Sequence, residues 1–125
     1  MVSKKIIGKR NRTRGNNYER KIINELKEIT HDECLKSTRQ DSHFLDSQKI
    51  DISDPNNTLP FYVQIKCTQS IPAIKKLNEE VGVKDKDLAV FWNAQETRDQ
   101  KQISVGEYVI ITKDIFYKLL TYLYK

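Results

Sequence analysis

Nowhere does the sequence stay apolar for anything near the ~20 residues that a membrane-spanning helix needs. No membrane partner is therefore expected. The N-terminus is charged and lacks the apolar segment and cleavage site of a signal peptide, so a cytoplasmic setting is the expectation. There are only two cysteines, Cys34 and Cys67, too few for a disulfide framework or a cysteine-rich zinc site. The two histidines, His31 and His43, are not spaced to complete a metal motif with either cysteine. Internal repeats are absent, and so is low-complexity sequence beyond the first residues. Acids are missing altogether between Met1 and Arg14, where six basic residues fall: Lys4, Lys5, Lys9, Arg10, Arg12 and Arg14.

What is present fits one small domain. The chain has 125 residues, a formal charge of +5 and a pI near 9.2. Residues 1–14 read as a basic, flexible arm and 15–125 as a single domain. Self-repulsion within the arm would be relieved by a polyanion, with release of its counterions. The plainer reading of the arm is a solubilising tail.

Tyr18, Ile22, Ile23, Leu26 and Ile29 recur at helical spacing, which predicts a helix over 16–29 with Gly15 as the break before it. Glu19 borders that apolar stripe. Residues 34–39 and 48–53 suit short strands, with Ile50 and Ile52 on one face and Asp51 on the other. Asp54 to Asn57 reads as a turn. From Leu59 to Thr68, strict alternation places Val63, Ile65 and Cys67 on one face and Gln64, Lys66 and Thr68 on the other. A helix capped by Ser70 and started by Pro72 should follow, ending at Gly82. Strands are expected at 88–92 and 108–111, separated by a loop or loose hairpin over 93–107. Thr112 should cap a last helix that covers the sheet. The expectation is a mixed β-sheet flanked by helices, of α/β class bordering on α+β.

Asp51, Gln64 and Lys66 carry the sharpest chemical signal. If the Asp54–Asn57 turn returns the chain antiparallel, Asp51 comes beside Gln64 and Lys66, and the first helix could lower Glu19 over them. Carboxylate oxygens hold a hard cation such as Mg²⁺, which activates water and offsets charge on a phosphate. Lys66 would orient the attacking water or counter the phosphate charge, and Gln64 would offer a neutral amide oxygen. Equally, Asp51 can be a strand-end residue and Lys66 a solvated edge charge.

The ordered set of Gly15 to Glu19, Lys49-Ile50-Asp51-Ile52 and Val63-Gln64-Ile65-Lys66 resembles the PD-(D/E)xK nuclease superfamily. Within it, the chain is most similar to the small Holliday junction resolvase-like and phage endonuclease branch. The similarity covers residues 14–77, about half the chain. It implies a restriction-endonuclease-like fold and Mg²⁺-dependent cleavage of DNA, with Mn²⁺ as a substitute and branched DNA favoured over duplex. A homodimer, and the host cytoplasm for a phage-encoded protein, come with the same resemblance. It assigns Glu19 as the first-helix acid, Asp51 as the metal-binding aspartate and Lys66 as the catalytic lysine. Gln64 stands where the second strand acid is usual, and Ile50 where a proline is frequent. Glu19, Asp51, Gln64 and the Ile65 carbonyl are the expected metal shell.

Lys9, Arg10, Arg12, Arg14, Arg39, Thr68, Lys75 and Lys76 are candidate nucleic-acid contacts, each with a surface or capping role as the plainer reading. Asp41 and Asp46 are replacement acids on the segment approaching Asp51. Phe91 and Trp92 read as core rather than a base-stacking platform, and Tyr117, Tyr122 and Tyr124 as sheet cover or a dimer surface. Two rival functions remain at this stage: a catalytically inactive nucleic-acid-binding domain of the same fold, and a small interaction protein whose arm recognises an acidic partner. RNA is an alternative substrate.

Overall fold

The helical stripe of Tyr18, Ile22, Ile23 and Leu26 is buried, and it organises one side of the molecule. The computed structural model describes the backbone from Lys4 to Lys125 and the side chains from Arg12 onward. Helix α1 (Lys4–Thr30) runs unbroken through Gly15, where an added Cβ would meet nothing within 4 Å. The expected break is absent: a lone glycine costs a helix only about 1 kcal/mol, and Arg14 before it and Glu19, Arg20 and Lys21 beyond it are good helix formers. Residues 4–14 are helical backbone continuous with the rest of α1. Ile29 falls off the stripe and is 73% exposed.

After α1 the chain makes β1 (Lys36–Ser37), two short helices, α2 (Thr38–Asp41) and α3 (His43–Ser47), and β2 (Ile52–Ser53). β1 and β2 pair antiparallel, Ser37 opposite Ile52. Next come β3 (Tyr62–Thr68), α4 (Ile74–Glu80), β4 (Leu88–Arg98), β5 (Lys101–Ile110) and α5 (Lys113–Leu123). β3 and β4 are parallel, joined by α4 as a crossover, and β4 and β5 are antiparallel. The mixed sheet with flanking helices is the expected class, of α+β type.

Two apolar clusters sandwich the sheet. On one face α1 packs with Leu35, Ile52, Leu59 and Val63, joined by Phe61, Ile65 and Phe91. On the other, Ile50, Val81, Leu88 and Val90 pack with Tyr62, Ile74, Leu77 and Ile110. Ile50 and Ile52 therefore serve opposite faces, not one face as alternation predicted. Asp51 lies outside the regular strands, where the chain passes from one cluster to the other, and its N–H bond to the Val63 carbonyl leaves it at the sheet edge.

Three further expectations change. The helix after β3 begins at Ile74, is capped by Ala73 without a side-chain bond, and leaves Ser70 and Pro72 outside it. Of the two alternatives for residues 93–107 the hairpin holds and the loop does not: β4 and β5 form a paired ribbon, bent by a register shift at Ala94/Gln95. Asp99 and Gln100 close it with φ of 51° and 63°, the left-handed pair that a two-residue hairpin of right-handed twist requires. Finally, α5 does start at its Thr112 cap, whose hydroxyl accepts from the Ile115 N–H. It does not cover the sheet: Ile115 is its buried residue, while Tyr117, Tyr122 and Tyr124 are exposed. Among the described residues no helix is long and apolar enough to cross a membrane.

Candidate active site

Asp51 is fixed by its backbone before its side chain is considered. Its N–H donates to the Val63 carbonyl (2.8 Å) and its carbonyl accepts from the Thr38 N–H (3.1 Å). The Thr38 hydroxyl, fully buried, donates to the neighbouring Ile50 carbonyl at 2.6 Å. The residue is thus stitched between the start of α2 and the free edge of β3. Its carboxylate Oδ2 then accepts from the Ile65 N–H at 2.7 Å. N–H and C=O groups of alternate strand residues point to the same side. The Ile65 carbonyl therefore lies on this same edge, away from β4.

Burial dominates the acidity of Asp51. It pushes the carboxyl up from 3.8 to about 6, against the Ile65 hydrogen bond; nearby Glu19 and Asp46 raise it further and Lys66 opposes them. Glu19, Asp46, Asp51 and Lys66 therefore share one electrostatic neighbourhood. Glu19 comes from α1, on the Val63 face, and is 7% exposed. It reaches Asp51 around the sheet edge rather than over the Gln64/Lys66 face. Its Oε1 is met at 3.3 Å by the Arg39 guanidinium from α2.

Gln64 is buried, and its Nε2 donates to the Lys49 carbonyl at 3.2 Å. Lys49 sits at φ 67°, a left-handed conformation that turns this carbonyl toward the strand. The other end of the amide is singular: Oε1 is buried and meets no hydrogen-bond donor among the described residues. An acceptor left in this state costs roughly 1–3 kcal/mol, and a bound cation or water would satisfy it. Among the described residues no three acidic, histidine or cysteine side chains group as a metal cluster. The set available to a cation is two carboxylates, the Gln64 Oε1 and the Ile65 carbonyl. It suits a hard cation that takes oxygen ligands and keeps several waters.

The remaining candidates divide. Arg39 belongs to the site itself through Glu19, a closer role than a phosphate contact on the periphery. Asp46 is also near, whereas Asp41 is turned away, bonded to Ser53 and paired with Lys36 at 3.2 Å. Thr68 is used internally: its hydroxyl donates to the Ser70 carbonyl and accepts from the Trp92 indole N–H. Lys75 and Lys76 are exposed on α4 in pairs with Glu79 and Glu80. Arg12 is exposed, Arg14 half-buried and close enough to Cys67 to favour its thiolate, against a larger effect of burial. The side chains of Lys9 and Arg10 lie outside the described residues. His31 follows α1 at φ 57°, in the left-handed region where the helix ends.

Two participants were not picked out as centrally as their positions warrant. Arg39 lies 20 residues from Glu19 in sequence, so no local spacing signals the pair. Trp92, taken as core, is half-buried, with its indole edge bonded to Thr68. Comparison with family models, curated proteins and solved structures finds no match for this chain.

Proposed function

We propose that the protein is a metal-dependent endonuclease that hydrolyses DNA phosphodiester bonds at the free edge of β3. The observation that carries this reading is the buried Gln64 Oε1 without a donor, set beside the raised Asp51 carboxyl and Glu19. A charged or polar centre of this kind is costly to keep in a small domain unless it holds something.

Mg²⁺, with Mn²⁺ as substitute, would supply Lewis acidity there, lowering the pKa of water and offsetting charge on the phosphate. The chain's own groups do the rest. The Ile65 N–H holds Asp51 Oδ2, which leaves Oδ1 free and aimed by a fixed hydrogen bond. Gln64, gripped through Nε2 by Lys49, presents Oε1 as an acceptor in one orientation. Lys66 projects from the adjacent strand position and supplies positive charge for a phosphate oxygen or for the attacking water. Arg39 balances Glu19 when the cation is absent, and becomes available to the phosphate when Glu19 turns to the cation. A homodimer is part of this reading, because paired cuts in a branched substrate call for two sites; sedimentation of the purified protein tests it.

The test is cleavage of labelled four-way, flap, single-stranded and duplex DNA, with an RNA strand in parallel, with Mg²⁺ and with chelator. Metal-dependent products lost in Asp51→Ala and Lys66→Ala support the proposal. Cutting by both variants at the parent rate would refute the assignment. One second reading is a nucleic-acid-binding domain that does not cut, to which the glutamine at position 64, in place of an acid, points. Salt-sensitive DNA binding that survives chelation, with no cleavage under any divalent ion, would select it.

A further inference from the structure

The strand register sets Lys66, Trp92 and Tyr108 in one row across β3, β4 and β5. Directly paired residues share a face, so all three side chains lie on the same side of the sheet. The cluster around Ile50 and α4 covers the lower part of that face, through Tyr62, Val90 and Ile110. The row above it begins with Lys66 and continues into the two rings. Trp92 and Tyr108 have centroids 5.4 Å apart and planes 35° from parallel.

Two details show that this pair is held in place. The Trp92 indole N–H donates to both the carbonyl and the hydroxyl of Thr68, each at 3.1 Å, which fixes the ring and consumes its edge donor. Gly106 lies in the next row, and an added Cβ there would come within 2.7 Å of the Tyr108 hydroxyl and 2.9 Å of its ring. The missing side chain is what lets the Tyr108 ring lie across the strand. Even so, Tyr108 stays 53% exposed. The result is a fixed aromatic surface with the indole N–H already used, one to two strand spacings (about 5–10 Å) from Lys66.

We infer that Trp92 and Tyr108 form a stacking platform for an unpaired nucleobase whose strand passes Lys66. The inference rests on the proposed nuclease site and names its substrate class: a strand with at least one base out of the duplex. Exposed π faces, with the indole N–H already used, accept any base by stacking rather than by reading its edge. A base inside an intact duplex has no free face to offer. The neighbouring ammonium of Lys66 and the net charge of +5 favour a polyanionic strand over a neutral aromatic ligand.

Trp92 is the single tryptophan, so its fluorescence reports the platform alone. The full chain, in chelator so that nothing is cut, is titrated with oligo(dT), oligo(U), an abasic strand of equal length, and duplex DNA. Saturable quenching by the base-bearing single strands, absent with the abasic strand and much weaker with duplex, is the expected result. The dT and U arms show whether DNA or RNA fits better. Tyr108→Ala should weaken binding roughly 5- to 150-fold and Tyr108→Phe should not. Equal quenching by the abasic strand, or parent-like affinity in Tyr108→Ala, overturns the inference. Tyr108 is an exposed edge-strand residue, so its loss leaves the core intact. The same titration, run beside a cleavage assay on the parent protein, separates the two readings. Quenching of a parent that shows no metal-dependent cleavage sinks the nuclease and keeps the platform; cleavage indifferent to Tyr108→Ala does the reverse.

Discussion

Replacing Asp51 by Asn should make the metal-free protein more stable at neutral pH, not less. Asparagine keeps an acceptor for the Ile65 N–H, which donates to Asp51 Oδ2 at 2.7 Å, and removes only the charge. Burial, the largest influence, lifts the Asp51 carboxyl from 3.8 to about 6. Below the unfolded value both states hold the proton and the charge matters little. Between the two values the folded state still holds a proton that the unfolded chain has lost, so stability falls as pH rises. Above the folded value the whole gap is lost, and at ~1.4 kcal/mol per tenfold it amounts to about 3 kcal/mol at most. Urea unfolding of parent and Asp51→Asn in chelator should therefore give midpoints that coincide near pH ~4 and diverge in favour of the variant above pH ~6. Mg²⁺ should then raise the parent's midpoint and leave the variant's unmoved, by about 1.4 kcal/mol at a tenfold excess over Kd. An advantage that is the same at both pH values, or a variant less stable at high pH, would refute the reasoning.

Three other perturbations probe the same site. Gln64→Glu adds a third carboxylate: it should destabilise the metal-free protein above pH ~6 by about 1–3 kcal/mol and tighten Mg²⁺ at least tenfold, read by calorimetry. Arg39→Ala releases Glu19, so cation affinity should rise several-fold while DNA affinity and its salt dependence fall, as fluorescence anisotropy across a salt series would show. Thr38→Val leaves the buried Ile50 carbonyl without its 2.6 Å donor, a loss of about 1–3 kcal/mol in urea unfolding. Any cleavage activity should drop further than that stability loss explains, because the lost hydroxyl bond holds the peptide that leads into Asp51.

The parts of this fold that were legible in the sequence are those where one face is dry. The α1 stripe and the alternation of β3 are read directly from apolar spacing, because Tyr18, Ile22, Leu26, Val63 and Ile65 all turn toward one cluster. Between Trp92 and Tyr108 the β4–β5 ribbon was legible only as a loop or loose hairpin. Much of it is solvated on both sides, so no apolar alternation survives, and Asp99-Gln100 is not a strong hairpin signal. Ile50 and Ile52 misled for a different reason: the two-residue period holds only in extended chain, and this segment crosses between two clusters. The same crossing puts Asp51 at the sheet edge. Periodicity also cannot show where a helix is left without a layer to cover, as α5 is. As for the site, Asp51, Gln64 and Lys66 could be placed near one another from the turn and the strand. The approach of Glu19 and the intervention of Arg39 are long-range events with no local trace.

The central claim is that the β3 edge holds a divalent cation through Asp51 and Gln64 and uses it to cut DNA. Asp51→Asn tests it most directly, since the variant is expected to fold at least as well as the parent. Cleavage of the single-stranded and branched DNA panel by both proteins, with Mg²⁺ and with chelator, is the measurement. The account predicts Mg²⁺-dependent products from the parent and none from the stably folded variant. Equal cleavage by the two, or cleavage by the parent that persists in chelator, would contradict it.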